Sequence, residues 1–368
     1  MRGYQGFIYS KALVLIGWYT LWRMSVWSGK RVLITGHSGF KGGWLSLMLM
    51  REGAQVAGLS LPPETDPNLF SVAGIGAALD SHFGDIRSPE FVNHVFAAVQ
   101  PEVVFHLAAQ ALVRRSYADP VGTYATNVLG TVNVMEAMRQ TGSVRALVNV
   151  TSDKCYENRE VIWAYREHDP MGGSDPYSSS KGCAELVAAS YRKAFFDGNK
   201  LVSVRAGNVV GGGDWSMDRL VPDCIRAFSR GEQVLLRNPD SLRPWQHVLE
   251  PLSGYLMVAE LLLSGKPVES AYNFGPSTEE THPVEKMVSG LARYWGGAAG
   301  WAHDAKPTPA ESKILLLDST LARVNLGWRP KLNFEECLSW TVEWYKRHRA
   351  GENMYEFTCR QIERFRSL

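Results

Sequence analysis

Arg31-Val-Leu-Ile-Thr35, Gly36-His-Ser-Gly39-Phe-Lys41-Gly42 and Trp44-Leu-Ser-Leu-Met-Leu-Met50 form the stretch from which the rest of the chain is read. A short β-branched and apolar run is followed by a turn with glycine at every third position, and then by an apolar segment that suits a buried helix. Strand, glycine turn and helix in that order make a site for an anion. The glycines allow a tight turn and close backbone approach, and the helix start offers unpaired N–H groups, so a dinucleotide pyrophosphate can sit there. Gly36, Ser38, Gly39, Phe40, Lys41 and Gly42 are therefore candidate cofactor-binding residues.

The same pattern continues outward. Further strands are expected at Gln55–Leu59, Asp80–Phe83, Val103–Phe105, Ala146–Val150 and Leu201–Val204, with helices at Pro89–Val99, Val121–Gln140 and Pro176–Phe196. Strands alternating with helices predict an α/β fold built on a doubly wound parallel (Rossmann) sheet. After Gly207 the regularity fails, with Gly211-Gly-Gly213 and Pro222, Pro239, Pro244 and Pro251 punctuating the chain. This half is expected to build a smaller, irregular α/β domain capping the carboxyl edge of the sheet. His247–Leu263 reads as helix and Tyr272–Phe274 as strand, so the chain returns to the sheet in between. The expected division is residues 25–206 for the Rossmann domain, rejoined by roughly 245–275, and 207–368 mainly for the second domain.

Composition sets the class. The 368 residues carry 39 Lys and Arg against 37 Asp and Glu, with 45% hydrophobic and 21% charged residues, which disfavours disorder, collagen and a polybasic nucleic-acid module. The five cysteines are scattered without a Cys-x-x-Cys pair, so neither a disulfide framework nor a metal site is expected, and a reducing cytoplasm fits best. Residues 1–24 read as an extension containing Arg2, Lys11 and Arg23, no acid, and the apolar stretch Ala12–Trp22. That stretch is short for a membrane span, which needs about 20 residues, and no small-residue cleavage site follows it. A start-site artefact with Met24 as the functional start, or a dispensable arm, is preferred to an export signal.

The end of the second strand, where an acid reads NAD or an Arg reads NADP, offers only Gly58-Leu-Ser60, so this motif leaves the choice open. Asp85, just after the third strand, is placed to accept from the adenine amino group; the alternative is an N-cap for the helix at Pro89. Tyr177 and Lys181 are four apart and share a helix face. A phenol has a reference pKa of about 10, and a nearby ammonium favours phenolate. The pair opens the helix after the fifth strand, whose end carries Thr151-Ser-Asp-Lys154, so a hydroxyl, a phenol, an acid and an amine are expected around one point.

Gly36-x-x-Gly-x-x-Gly42, His106-Leu-Ala-Ala109, Asn127-x-x-Gly-Thr131 and Tyr177-x-x-x-Lys181 together resemble the extended short-chain dehydrogenase/reductase family, from about Arg31 to the C-terminus. Thr151-Ser-Asp-Lys-Cys-Tyr156, Arg205–Trp215, Asp218–Asp223 and Arg243–Pro251 resemble its subgroup of nucleotide-sugar 4,6-dehydratases that take CDP-glucose. Relatives acting on dTDP-glucose carry Asp-Glu where this chain has Asp153-Lys154, and the sugar epimerases lack an acid–base pair there.

The resemblance implies NAD as cofactor, with Ser60, Asp85, Ile86, Leu107, Ala108, Ala109, Asn127, Tyr177 and Lys181 joining the glycine loop as its ligands. It implies that Tyr177 takes the C4 hydroxyl proton as hydride leaves for NAD, with Ser152 on the same hydroxyl. Water is then lost across C5 and C6, with Asp153 as acid and Lys154 as base, and the hydride returns to C6. Lys154 as base needs a lowered pKa; alternatively it only stabilises enolate charge while another group takes the proton. Arg219 and Arg243 are candidate diphosphate ligands because a guanidinium forks onto phosphate oxygens. Asn208, Leu220, Arg237 and Glu311 complete the expected substrate set, with Pro309 standing where the family often has His. The resemblance also implies a homodimer through a four-helix bundle of Val121–Gln140 and Pro176–Phe196, or a dimer of such dimers, and products used for surface polysaccharides. Rival readings are a 4-epimerase or simple oxidoreductase on the same scaffold, and a cofactor-sensing protein with a dead site.

Overall fold

Seven parallel strands run through the centre of the computed structural model, which describes residues 25–297, 299–304 and 314–368. The expectations for residues 1–24, Pro309 and Glu311 lie outside the described residues. The strands are β1 (Arg31–Thr35), β2 (Gln55–Ser60), β3 (Asp80–Phe83), β4 (Val103–His106), β5 (Ala146–Val150), β6 (Leu201–Ala206) and β7 (Ala271–Phe274). They lie in the order β7-β6-β5-β4-β1-β2-β3, every ladder parallel. The order reverses between β1 and β4, which opens a crevice at the carboxyl ends of the strands. Several strands run one or two residues past their expected ends: β6 continues from Val204 to Ala206 because Arg205 and Ala206 pair with Asn273 and Phe274 of β7.

Both faces of the sheet are covered, so β4 and β5 are buried throughout and are apolar except for His106 and Asn149. Alternate residues serve the two faces. Leu33, Val104, Leu147 and Leu201 pack with Phe96 of α2 (Pro89–Val99), Met135 of α3 (Gly130–Gln140) and Ala188 of α4 (Pro176–Phe195). Ile34, Phe105, Val148 and Val202 belong instead to the core containing Trp44 of α1 (Phe40–Arg51) and Leu252 of α6 (Leu249–Leu263).

The helix expected over Val121–Gln140 is divided. A short helix at Pro120–Tyr124, capped by Asp119, passes through a π turn at Ala125–Leu129 before α3 begins. One extra residue in that turn re-aims the side chains, and Asn127 is buried there. The capping lobe contains α5 (Leu220–Ser229), α7 (Val284–Trp295) and α8 (Phe334–Arg349), with the two-residue strands Val209–Val210 and Gln246–His247 paired in parallel. The last helix, α9 (Met354–Ser367), returns to the first lobe: Arg366 donates to the Met48 carbonyl at 3.1 Å and Arg51 pairs with Glu363. Among the described residues no helix is long and apolar enough to cross a membrane, and all five cysteines are unpaired.

Candidate active site

The loops that leave the carboxyl ends of β1, β2, β4, β5 and β6 wall one cleft of about 1210 Å³. Every site residue that the sequence nominates within the described residues lines it, except Asn127.

Glycine chemistry shapes the floor. Gly36 adopts φ +80°, a left-handed conformation that a side chain disfavours, and a Cβ there would stand 2.8 Å from the Ala108 nitrogen. A Cβ on Gly42 would run into the Gly36 carbonyl. Gly39 caps α1 without a side-chain hydrogen bond, so the first-turn amides of α1 face the cleft without a capping acceptor. The cradle fits a dinucleotide pyrophosphate.

Beneath the cradle the sequence motifs act as clasps. His106 bonds Thr35 Oγ1 at 2.7 Å through Nδ1 and Thr131 Oγ1 at 3.0 Å through Nε2, joining β4 to β1 and α3. Burial pushes its pKa down to about 3, so the clasp is neutral. The Asn127 carboxamide accepts from the Gln110 N–H at 2.8 Å and donates to the Gln110 carbonyl and to Ser180 Oγ. Asn127, expected as a cofactor ligand, therefore holds the loop after β4 from behind, because the π turn directs it inward.

His37 carries a role that sequence reading missed. Its ring fills the space where a Cβ on Gly58 would stand, with hydrogen bonds of 3.1 Å to both Ser60 and Ser81. The missing side chain at Gly58 was the available signal. Burial holds His37 down at about 4, and Ser60 donates onward to Ser38 at 2.9 Å. The end of β2 is thus a run of neutral hydroxyls. Asp85 lines the cleft with its carboxylate engaged by Arg87 (Nε at 2.8 Å); the cap of α2 is Ser88, which overturns the alternative of an Asp85 cap.

The reactive groups gather at the end of β5. Ser152 caps the tight turn Asp153–Cys155 and donates to Asp153 Oδ1 at 2.9 Å. Asp153 is buried, and its Oδ2 has no hydrogen-bond partner. A Cβ on Gly207 would stand 3.1 Å from that oxygen, so the glycine keeps the space beside it open. Burial raises the Asp153 pKa, against the pull of Lys154, Ser152, Arg243 and Lys41. The group is biased toward the protonated form, which suits an acid.

Tyr177 departs from expectation. Its phenol is pushed up to about 12 by burial, with the Ser152 hydrogen bond and the Arg219 charge opposing. Lys181 instead reaches the Val150 carbonyl at 3.4 Å, and burial lowers it to about 8 against the pull of Glu185. Sharing a helix face was not enough, because the lysine stem turns toward β5.

Under this edge lies a buried network that the spacing did not announce. Arg205 of β6 grips Glu185 of α4 through two hydrogen bonds of 2.8 and 2.9 Å, and donates to the Tyr156 hydroxyl at 2.7 Å. Thr151 donates to the same Glu185 carboxylate. The pair ties β5, β6 and the helix bearing Tyr177 and Lys181 into one unit.

On the capping side, Arg219 precedes α5 and pairs with Asp214 at 3.2 Å, Arg243 donates to the Leu242 carbonyl at 2.9 Å, and Arg237 pairs with Asp304 at 3.4 Å. Asn208 and Leu220 share this wall. The cleft therefore offers an anion cradle, a phenol and hydroxyl that can share one proton, a buried acid, and cations opposite them.

Residues 33–341 match the family described as GDP-mannose 4,6 dehydratase. The chain is 50% identical to CDP-glucose 4,6-dehydratase of Salmonella typhimurium, over 93% of this chain and 97% of that protein. Among solved structures it resembles UDP-glucose 4-epimerase of Thermus thermophilus in complex with NAD, with TM-score 0.74, 26% identity, and 86% and 99% of the two chains covered. It shares the fold of UDP-glucose 4-epimerase of Thermotoga maritima, with TM-score 0.77, 23% identity, and 86% and 99% covered.

Proposed function

The chain belongs to the GDP-mannose 4,6 dehydratase family, and from that premise we propose that it is an NAD-dependent hydro-lyase converting CDP-glucose to CDP-4-keto-6-deoxyglucose. The observation that carries the reading is Asp153, a buried carboxyl biased toward its acid form beside Tyr177 and Ser152. An epimerase, which keeps the C6 oxygen, has no use for such an acid.

The pyrophosphate of the cofactor would rest on Gly36–Gly42 and the first turn of α1, with Ser60 and Asp85 toward the adenosine and Leu107–Ala109 and Lys181 along the remainder. When bound, NAD supplies the hydride acceptor for C4 and the donor for C6. Tyr177 accepts the C4 hydroxyl proton while Ser152 holds the same oxygen. The resulting ketone makes the C5 hydrogen acidic. Asp153 gives its proton to the departing C6 hydroxyl, and Lys154 as neutral amine takes the C5 proton, or steadies the enolate charge while another group takes that proton. Arg219 and Arg243 hold the diphosphate.

Incubation with a panel of CDP-, dTDP-, UDP- and GDP-glucose, read by mass, should show loss of one water from the CDP sugar. With substrate deuterated at C4 the label should appear at C6. Release of the intact hexose, epimerised or oxidised, would overturn the reading.

Val121, Leu129, Leu186 and Phe195, on the α3 approach and on α4, are each more than half exposed. We read this face as the four-helix contact of a homodimer in the cytoplasm. Leu186→Glu should shift sedimentation toward a monomer; an unchanged sedimentation coefficient would exclude this contact.

A further inference from the structure

Lys41 follows the turn of the dinucleotide loop as the second residue of α1, and it lines the same cleft as Arg219, Asp153 and Asp214. The first turn of α1 is braced against the triple-glycine loop of the capping lobe. The Phe40 ring lies 3.3 Å from where a Cβ on Gly211 would be, and Trp44 Nε1 donates to the Gly212 carbonyl at 2.9 Å. That loop runs on to Asp214, which holds Arg219. Lys41 is consequently within electrostatic reach of Arg219, Lys181, Asp153 and Asp214. Among the described residues its amine makes no hydrogen bond and no ion pair.

The charges around it do not balance. Of the two acids, Asp153 also faces Lys154 and Arg243, and Asp214 is already held by Arg219. Three cations share what remains, and burial with Arg219 and Lys181 pushes the Lys41 amine down to about 7. Such a cluster favours a bound anion. A cofactor pyrophosphate on the glycine loop is met by backbone amides, as at other helix starts, and needs no side chain from this position.

We propose that Lys41 is a ligand of the diphosphate of the nucleotide sugar, shared with Arg219, although it is carried on the dinucleotide loop. The proposal rests on the reading of the protein as a nucleotide-sugar enzyme and goes beyond it by reassigning Lys41 from cofactor to substrate.

The test is calorimetric titration of CDP, cytidine and NAD into the full chain, its Lys41→Met variant and its Lys41→Arg variant. Lys41→Met should weaken CDP by about 10- to 100-fold, the loss of one hydrogen bond to a charged group. Cytidine, which lacks phosphate, and NAD should change by less than about threefold on the same scale. Lys41→Arg should recover most of the CDP affinity. A loss confined to NAD, an equal loss for cytidine and CDP, or unchanged CDP affinity with stalled turnover would each overturn the proposal. Titrating CDP, dTDP, UDP and GDP into the unaltered protein first separates the two readings. A base other than cytosine would correct the substrate, and the Lys41 comparison then runs with the diphosphate that binds.

Discussion

Tyr177→Phe should lower kcat by about 10²–10⁴-fold, the usual contribution of a positioned acid–base group, while NAD and CDP-glucose still bind. The reason lies in the site. The phenol is buried, burial in the protein alone holds it up at about 12, and Ser152 opposes that rise. Phenylalanine fills the same volume, so the cleft keeps its shape and only the proton acceptor is removed. The raised value sharpens the expectation, because Tyr177 becomes a base only as positive charge arrives beside it or as its proton moves with Ser152. The check is single-turnover kinetics with substrate deuterated at C4. Near-native turnover by the variant would take Tyr177 out of the reaction.

Asp153→Asn should separate the two halves of the chemistry. Burial already biases the carboxyl toward its neutral form, and one oxygen carries no hydrogen bond, so a neutral carboxamide of the same shape should fold in its place. What it removes is the transferable proton. C4 oxidation should proceed and water loss should fall by about 10²–10⁴-fold. The variant should accumulate a CDP-linked 4-keto sugar that retains its C6 oxygen, seen by mass together with a standing reduced-nicotinamide absorbance. If Asp153→Asn blocks the first oxidation instead, Asp153 acts at C4 and the division of roles with Tyr177 is wrong.

The parts that a sequence reader can see share a property: each is local. Gly36-x-x-Gly-x-x-Gly42 sits between a strand and a helix, and its glycines are demanded by backbone atoms a few residues away or one strand across. Thr151–Lys154 and Tyr177–Lys181 come together because both follow β5, directly or at the start of the next helix. The parts that escaped depend on distant elements. His37 matters because it packs on Gly58 and bonds Ser81, and for Asn127, which the sequence did nominate, the partner escaped because a π turn points it at Gln110. Glu185 and Arg205 are 20 residues apart on a helix and a strand that only the sheet brings together.

Sequence by itself determined the doubly wound sheet, the order of its strands along the chain and the set of groups at its carboxyl edge, because apolar periodicity and glycine spacing act over a turn or a strand. Tertiary structure alone decided their ionisation and their partners. Burial lifts Tyr177 and Asp153, Lys181 turns to the Val150 carbonyl, and burial with the Arg219 charge lowers Lys41. The physical reason is that desolvation and Coulomb interactions sum over every element packed around a group, and no window of sequence contains them all.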